Sequence, residues 1–228
     1  ISGDILRGTQ NPNIRLFHTL FSPAIQKACP GTPVELCQSF DRDVFYHFFD
    51  LEYSENSWVK IFYAEDIPQK AIDYLNERFA GSLVIMIEAP LVFLKIFDIL
   101  GITCIDLTIH PIRYMDDLLL GFKTNSQEIY QRLLKYQIDE FYFSLFAGLL
   151  KGTFQRRASA KDDILPNSAL FLGQTPVDRS LLNDQKAVVS VYDYKSEIEQ
   201  LGKEHSVVYF KPHPLVALDD AATQDMKS

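Results

Sequence analysis

The chain has 228 residues, 47% of them apolar, so it is long enough for one large domain or two small ones with a real core. Its formal charge of −8 argues against a general affinity for nucleic acid, which is driven by counterion release from a basic surface, and leaves room only for a local basic pocket. Cys29, Cys37 and Cys104 are widely spaced and odd in number, so they build neither a disulfide framework nor a Cys-x-x-Cys metal site and read as thiols of a reducing compartment. No basic start followed by an apolar run opens the chain, and no stretch reaches the roughly 18 apolar residues of a membrane span. A cytoplasmic location is expected.

Before Asn56 the signals are mixed. "LFHTLFSPAIQKAC" predicts a helix, and the aromatic "DVFYHFFDLEY" reads as extended. A clearer rhythm starts at Trp58: "WVKIFYA" as a strand, "IPQKAIDYLNERFAG" as a helix ending at Gly81, and "SLVIMIEA" as a strand buried on both faces. "PLVFLKIFDILG" then opens on a helix-starting proline, stops at Gly101, and hands over to a strand, "ITCIDLTI". This βαβαβ pattern with apolar strands implies a parallel sheet covered on both faces, whose ligands sit at the carboxyl ends of the strands.

From Ser126 to Leu150, apolar residues at three- and four-residue spacing predict one long amphipathic helix. The polar stretch from Lys151 to Asn167 reads as a linker. A second rhythm follows, with "ALFLG" and "SVVYF" as strands and "DYKSEIEQLGKEH" as the helix between them. The expected class is α/β, with residues 1–150 as a first half-domain, 151–167 as linker and 168–228 as a second, the two facing each other across a cleft.

Four segments carry candidate chemistry. Glu88 follows five apolar residues where the backbone leaves the sheet, so it is less solvated than a surface glutamate and suited to proton transfer; an N-cap or salt bridge beside Pro90 is the structural alternative. In "GQTPVDRS", Gly173 ends a strand, Pro176 stiffens the loop, and Asp178 either caps the next turn or faces a ligand. In "KPHP" the prolines flanking His213 restrict the backbone and aim the imidazole, and with Lys211 it can neutralise a phosphate through charge-assisted hydrogen bonds, without a metal. The alternative is a rigid surface turn.

The fourth segment, "HPIRYMDDLLLGFKTN", supplies His110, Pro111, Arg113 and the adjacent carboxylates Asp116 and Asp117, a pair able to bind Mg²⁺. "YMDDLLLGF" also looks like the catalytic hairpin of reverse transcriptases. That family needs an upstream metal aspartate in a strand-turn context, and the candidate "AEDIPQKAID" is interrupted by proline. Asp116 and Asp117 are therefore expected in solvent at the start of a helix, stabilised by its dipole.

Taken together, "EAP" at Glu88, the block "IDLTIHPIRYMDDLLLGFKTN", the loop "GQTPVDRS" and the terminal "KPHP" resemble the bacterial retaining Kdo glycosyltransferases of capsule and O-antigen assembly. The resemblance spans roughly Trp58 to Pro214. It implies a GT-B-like pair of Rossmann-like half-domains that moves Kdo from CMP-Kdo onto a glycan, with no metal required. By the resemblance Asp178, in the Gln-x-x-x-Asp motif that begins at Gln174, is the nucleophile and Glu88 activates the acceptor hydroxyl. His213 holds the CMP phosphate and assists its departure, with Lys211 and Gln174 as further donor-binding residues and His110 and Arg113 as substrate-binding residues. A lipid-linked acceptor would make peripheral attachment at the inner membrane sensible.

The family pattern also leads one to expect further strands and helices after the His-Pro strand, so the second half-domain reads as incomplete. Two other functions remain open. One is a CMP-sialic acid transferase, which also uses a His-Pro pair but carries an Asp-Gly motif not found in this chain. The other is an inactive or non-catalytic glycan-assembly module.

Overall fold

Apolar runs punctuated by proline and glycine become the strands and helices of this chain, whose computed structural model describes residues 1–7, 11–37, 40–54, 56–110, 112, 115, 117–157, 164–175 and 178–213. It divides into two units, Ile1–Thr153 and Phe154–Ser228. The first unit runs β1 (Ser2–Gly3), α1 (Asn11–Ala28), α2 (Arg42–His47), α3 (Trp58–Phe62), α4 (Gln69–Phe79), β2 (Val84–Ile87), α5 (Leu91–Leu100), β3 (Cys104–Ile109), β4 (Leu120–Thr124) and α6 (Gln127–Leu134). Helix α7 (Glu140–Arg157) crosses the division.

The sheet of the first unit has the order β1-β2-β3-β4. Strands β1, β2 and β3 are parallel, with Ser2 opposite Met86 and Ile87 opposite Leu107, and β4 is antiparallel to β3, with Ile109 opposite Leu120. The protein is thus α/β with a mostly parallel sheet. Helix α1 lays Ile14 and Phe17 against Ile87 and Leu107. Met86 points to the opposite face from its neighbour Ile87, and it too is fully buried, so both faces of β2 are covered as its apolar run implies.

Helix α5 behaves as its punctuation predicts. Pro90 is its N-cap residue, and Gly101 ends it in the left-handed region at φ +66°, where a side chain would be strained. The chain then turns into β3 under the control of Asn125. Its Oδ1 accepts the Cys104 N–H at 2.9 Å, while its Nδ2 donates to Asp98 Oδ1 and to the Ile102 carbonyl, each at 2.9 Å. The Cys104 thiol is buried and pushed up to about 12 by desolvation, with Asp106 and Asp98 adding to it. Cys29 is exposed and Cys37 half-buried.

Several elements differ from the sequence reading. The segment "WVKIFYA" forms α3, a helix in which Trp58, Val59, Ile61 and Phe62 are buried; these i, i+1, i+3, i+4 positions form a helical stripe, not a strand alternation. "DVFYHFFDLEY" contributes α2, started by Asp41, whose side chain accepts the Val44 N–H at 3.1 Å. The first strand of the expected βαβαβ unit is replaced by β1, near the start of the chain. The helix expected from Ser126 to Leu150 breaks at residues 135–139 into α6 and α7, and Asp139 accepts the Phe141 N–H at 2.7 Å at the start of α7. Residues 151–157, expected in a linker, continue α7.

In the second unit β5 (Ala169–Leu172) and β6 (Val208–Lys211) pair in parallel, with α8 (Lys195–Glu204) between them in sequence. Short 3-10 turns at Arg179–Leu181 and Val191–Tyr194 occupy the connection, and the rings of Phe171 and Phe210 stack 5.8 Å apart on adjacent strands. Among the described residues, no helix is long and apolar enough to cross a membrane.

Candidate functional site

Parallel pairing sends the carboxyl ends of β1, β2 and β3 out of the same sheet edge, and each strand is followed there by a residue able to do chemistry: Asp4, Glu88 and His110. Glu88 adopts φ +53°, a left-handed conformation that costs a side-chain-bearing residue on the order of 1 kcal/mol. Its N–H donates to the Leu107 carbonyl at 2.8 Å, which ties the strained turn to β3. The next amide, of Ala89, donates to buried Asp106 Oδ1 at 2.7 Å.

The Glu88 side chain is 32% exposed and meets Arg7, whose Nη2 lies 3.6 Å from its Oε2. Arg7 is itself only 8% exposed. Its Nε donates to Asp4 Oδ2, and its guanidinium lies over the Trp58 ring, 4.9 Å from the ring centroid. Asp4 is fully buried and accepts the Leu6 N–H on Oδ1 at 3.1 Å. Burial pushes its carboxyl above the ordinary 3.8, opposed by the charge and hydrogen bond of Arg7 and by backbone amides. Tyr46 closes this side by donating its hydroxyl to the Leu6 carbonyl at 3.0 Å, and burial pushes its phenol up.

Of the sequence candidates at this edge, Glu88 and His110 are brought to it. His110 stacks on Phe143 of α7, with ring centroids 5.7 Å apart, and its Nδ1 is 3.2 Å from the Ile112 N–H. A backbone amide can only donate, so Nδ1 is the acceptor here. Arg113, Pro111 and Asp116 lie outside the described residues. Asp117 is exposed, in the connection between β3 and β4, not at the start of a helix. The chain turns back there because β4 pairs with β3, a contact that residues 110–117 by themselves do not encode.

Asp4, Arg7 and Asp106 escaped the sequence reading. A two-residue strand has too little periodicity to be recognised, and the polar pair around "IL" near the start of the chain was the only local trace of it.

The second unit has its own edge. Leu172 is opposite Lys211, and the Gly173 N–H donates to the Lys211 carbonyl at 2.9 Å, so the "GQTPVD" and "KPH" exits leave the sheet side by side. Gly173 permits this closeness: a Cβ there would stand 3.0 Å from Phe210 Cζ and 3.4 Å from Pro212 Cα. Gln174 and Lys211 are exposed, and Asp178 and His213 half-buried. Asp178 has the capping role weighed for it: Oδ1 accepts the Ser180 N–H at 2.8 Å at the head of the 3-10 turn, and its own N–H donates to the Thr175 carbonyl at 3.1 Å. The bond to Ser180 uses one carboxylate oxygen and sets the direction of the other.

Glu88 and His110 thus stand at the sheet edge of the first unit, and Gln174, Lys211 and His213 follow the paired strands of the second, with Asp178 further along the loop after Gln174. A shallow pocket lined by Phe40, Asp41, Arg42, Asp43 and Tyr53 includes none of them. Among the described residues, no three His, Cys, Asp or Glu side chains form a group able to hold a metal ion. No protein family, curated protein or solved structure matches this chain.

Proposed function

We propose that the chain is a retaining glycosyltransferase of the GT-B-like kind, built on Rossmann-like half-domains, that moves Kdo from CMP-Kdo to a glycan in capsule or O-antigen synthesis. The observation that carries this reading is the parallel pairing of β5 with β6, by which a carboxylate loop and a Lys-Pro-His loop share one edge. A nucleophile beside cations for a leaving phosphate is what the first half of a double displacement needs.

In that first half an Asp178 oxygen bonds to the anomeric carbon of Kdo. The bond from that carbon to the phosphate oxygen breaks, the electron pair leaves with CMP, and Lys211 and His213 stabilise the departing phosphate. In the second half the acceptor hydroxyl oxygen bonds to the anomeric carbon, its proton passes to a general base, and the Asp178 carboxylate recovers its electron pair. Two inversions give net retention. Gln174 binds the donor, and His110 and Arg113 bind substrate.

Asp178→Asn is the decisive variant, because asparagine caps a turn as well as aspartate does. Incubated with CMP-Kdo, the wild-type protein should gain the mass of one Kdo residue on the peptide containing Asp178. The variant should melt at the wild-type temperature and gain none. An unmodified wild-type protein, or full transfer by the variant, overturns the reading.

A second reading, a polymerase fragment, is favoured by one observation: the last residues of "YMDDLLLGF", Leu120–Phe122, lie in β4, which is antiparallel to β3. Against it, the other neighbour of β3 is a parallel strand reached through a helix. Primer extension with Mg²⁺ separates the two.

A further inference from the structure

Gly173 stands where the backbone gives no reason for a glycine. Its φ lies outside the left-handed region that Gly31, Gly81 and Gly101 occupy, so the backbone conformation itself admits an alanine. What excludes a side chain is a neighbour: a Cβ there would meet Phe210 Cζ at 3.0 Å and Cε2 at 3.1 Å, and Pro212 Cα at 3.4 Å. In a sheet such a glycine marks a place where another group comes close.

The tip of the Phe210 ring thus lies against the exit of β5. The ring stacks on Phe171, with centroids 5.8 Å apart, and the Gly173 N–H bonds to the Lys211 carbonyl at 2.9 Å. A Cβ at position 173 would either push the ring off Phe171 or lengthen the bond to Lys211. The first shifts the residue immediately before Lys211, and the second separates the two exits directly. Gln174 follows Gly173 and Lys211 follows Phe210, and both are exposed, so the spacing set at this contact is handed to two side chains that can donate hydrogen bonds to an anion.

We propose that Gly173 is a positioning residue of the donor site: its missing side chain admits the Phe210 ring, and the two together fix the spacing at which Gln174 and Lys211 hold one phosphate. The inference rests on the transferase reading and uses only the donor-phosphate site, which that reading places in the second unit. Gly173 acts through its neighbours.

The test is titration calorimetry on the full chain, with CMP as the probe and cytidine as the control that lacks the phosphate. The wild type should prefer CMP. Gly173→Ala should weaken CMP binding by about ten-fold and leave cytidine binding unchanged, because what is lost is a charge-assisted hydrogen bond to the phosphate. A general loss of structure would weaken both. In the Phe210→Leu background, where the ring atoms that meet the Cβ are gone, Gly173→Ala should cost less affinity for CMP than it does beside phenylalanine. Far-UV circular dichroism checks the fold of each variant.

Wild-type CMP affinity in Gly173→Ala, or an equal cost in both backgrounds, would overturn the role of Gly173 and leave the transferase reading standing. No preference for CMP over cytidine in the wild type would overturn the donor-phosphate site, and the role of Gly173 with it. Should Gly173→Ala fail to fold, Gln174→Ala and Lys211→Met decide: unchanged CMP affinity in either refutes the proposal.

Discussion

Asp4 shows how much one residue's surroundings matter. Desolvation raises its proton affinity in the folded protein above the ordinary 3.8, against the pull of Arg7. The native state therefore holds that proton more tightly than the unfolded chain does. The resulting stability is fully present below the unfolded value and is lost as pH rises through the folded one. Asp4→Asn cannot ionise, so the urea midpoint of the wild type minus that of the variant should fall as pH rises above the ordinary 3.8. A flat or rising difference would mean that Arg7 outweighs desolvation. Glu88 was legible in the sequence as a carboxylate ending an apolar strand, and Asp178 as a cap or a ligand. Asp4 and Arg7 were not, because what makes them notable is Glu88 and Trp58, far along the chain.

Among the elements, those bounded by their own punctuation came out as the sequence suggests: α5 between Pro90 and Gly101, α4 ending before Gly81, and the apolar strand β2. The misread segments are rich in large apolar residues on several sides. Trp58–Phe62 has the composition of a strand but the buried stripe of a helix, and aromatic propensity is too weak to decide between them. The junction of α5, β3 and β4 depends on Asn125, which no pattern of apolar residues announces. Its three hydrogen bonds, at a net ~1 kcal/mol each and partly exposed, put the cost of Asn125→Ala at about 2 kcal/mol. Urea denaturation followed by Trp58 fluorescence would measure it, and a loss near zero would show that water replaces the side chain without cost.

At the scale of the whole molecule the apolar core is uneven. Every buried residue described lies between Ser2 and Leu119, and none lies in the second unit. Stability follows buried apolar area, so the second unit should unfold first. In urea, far-UV circular dichroism should begin to change before Trp58 fluorescence, and coincident curves would instead show one cooperative unit. The sequence by itself determined the α/β class, the paired strand-and-helix rhythm of β2, α5 and β3, and that of β5, α8 and β6, because periodicity and Pro/Gly punctuation act over a few residues. Only the tertiary structure decided that Ser2–Gly3 pairs with β2, that α2 and α3 are helices, and that Asp4 and Arg7 stand beside Glu88. Strand pairing and burial are contacts between distant segments, and their free energy outweighs local preference.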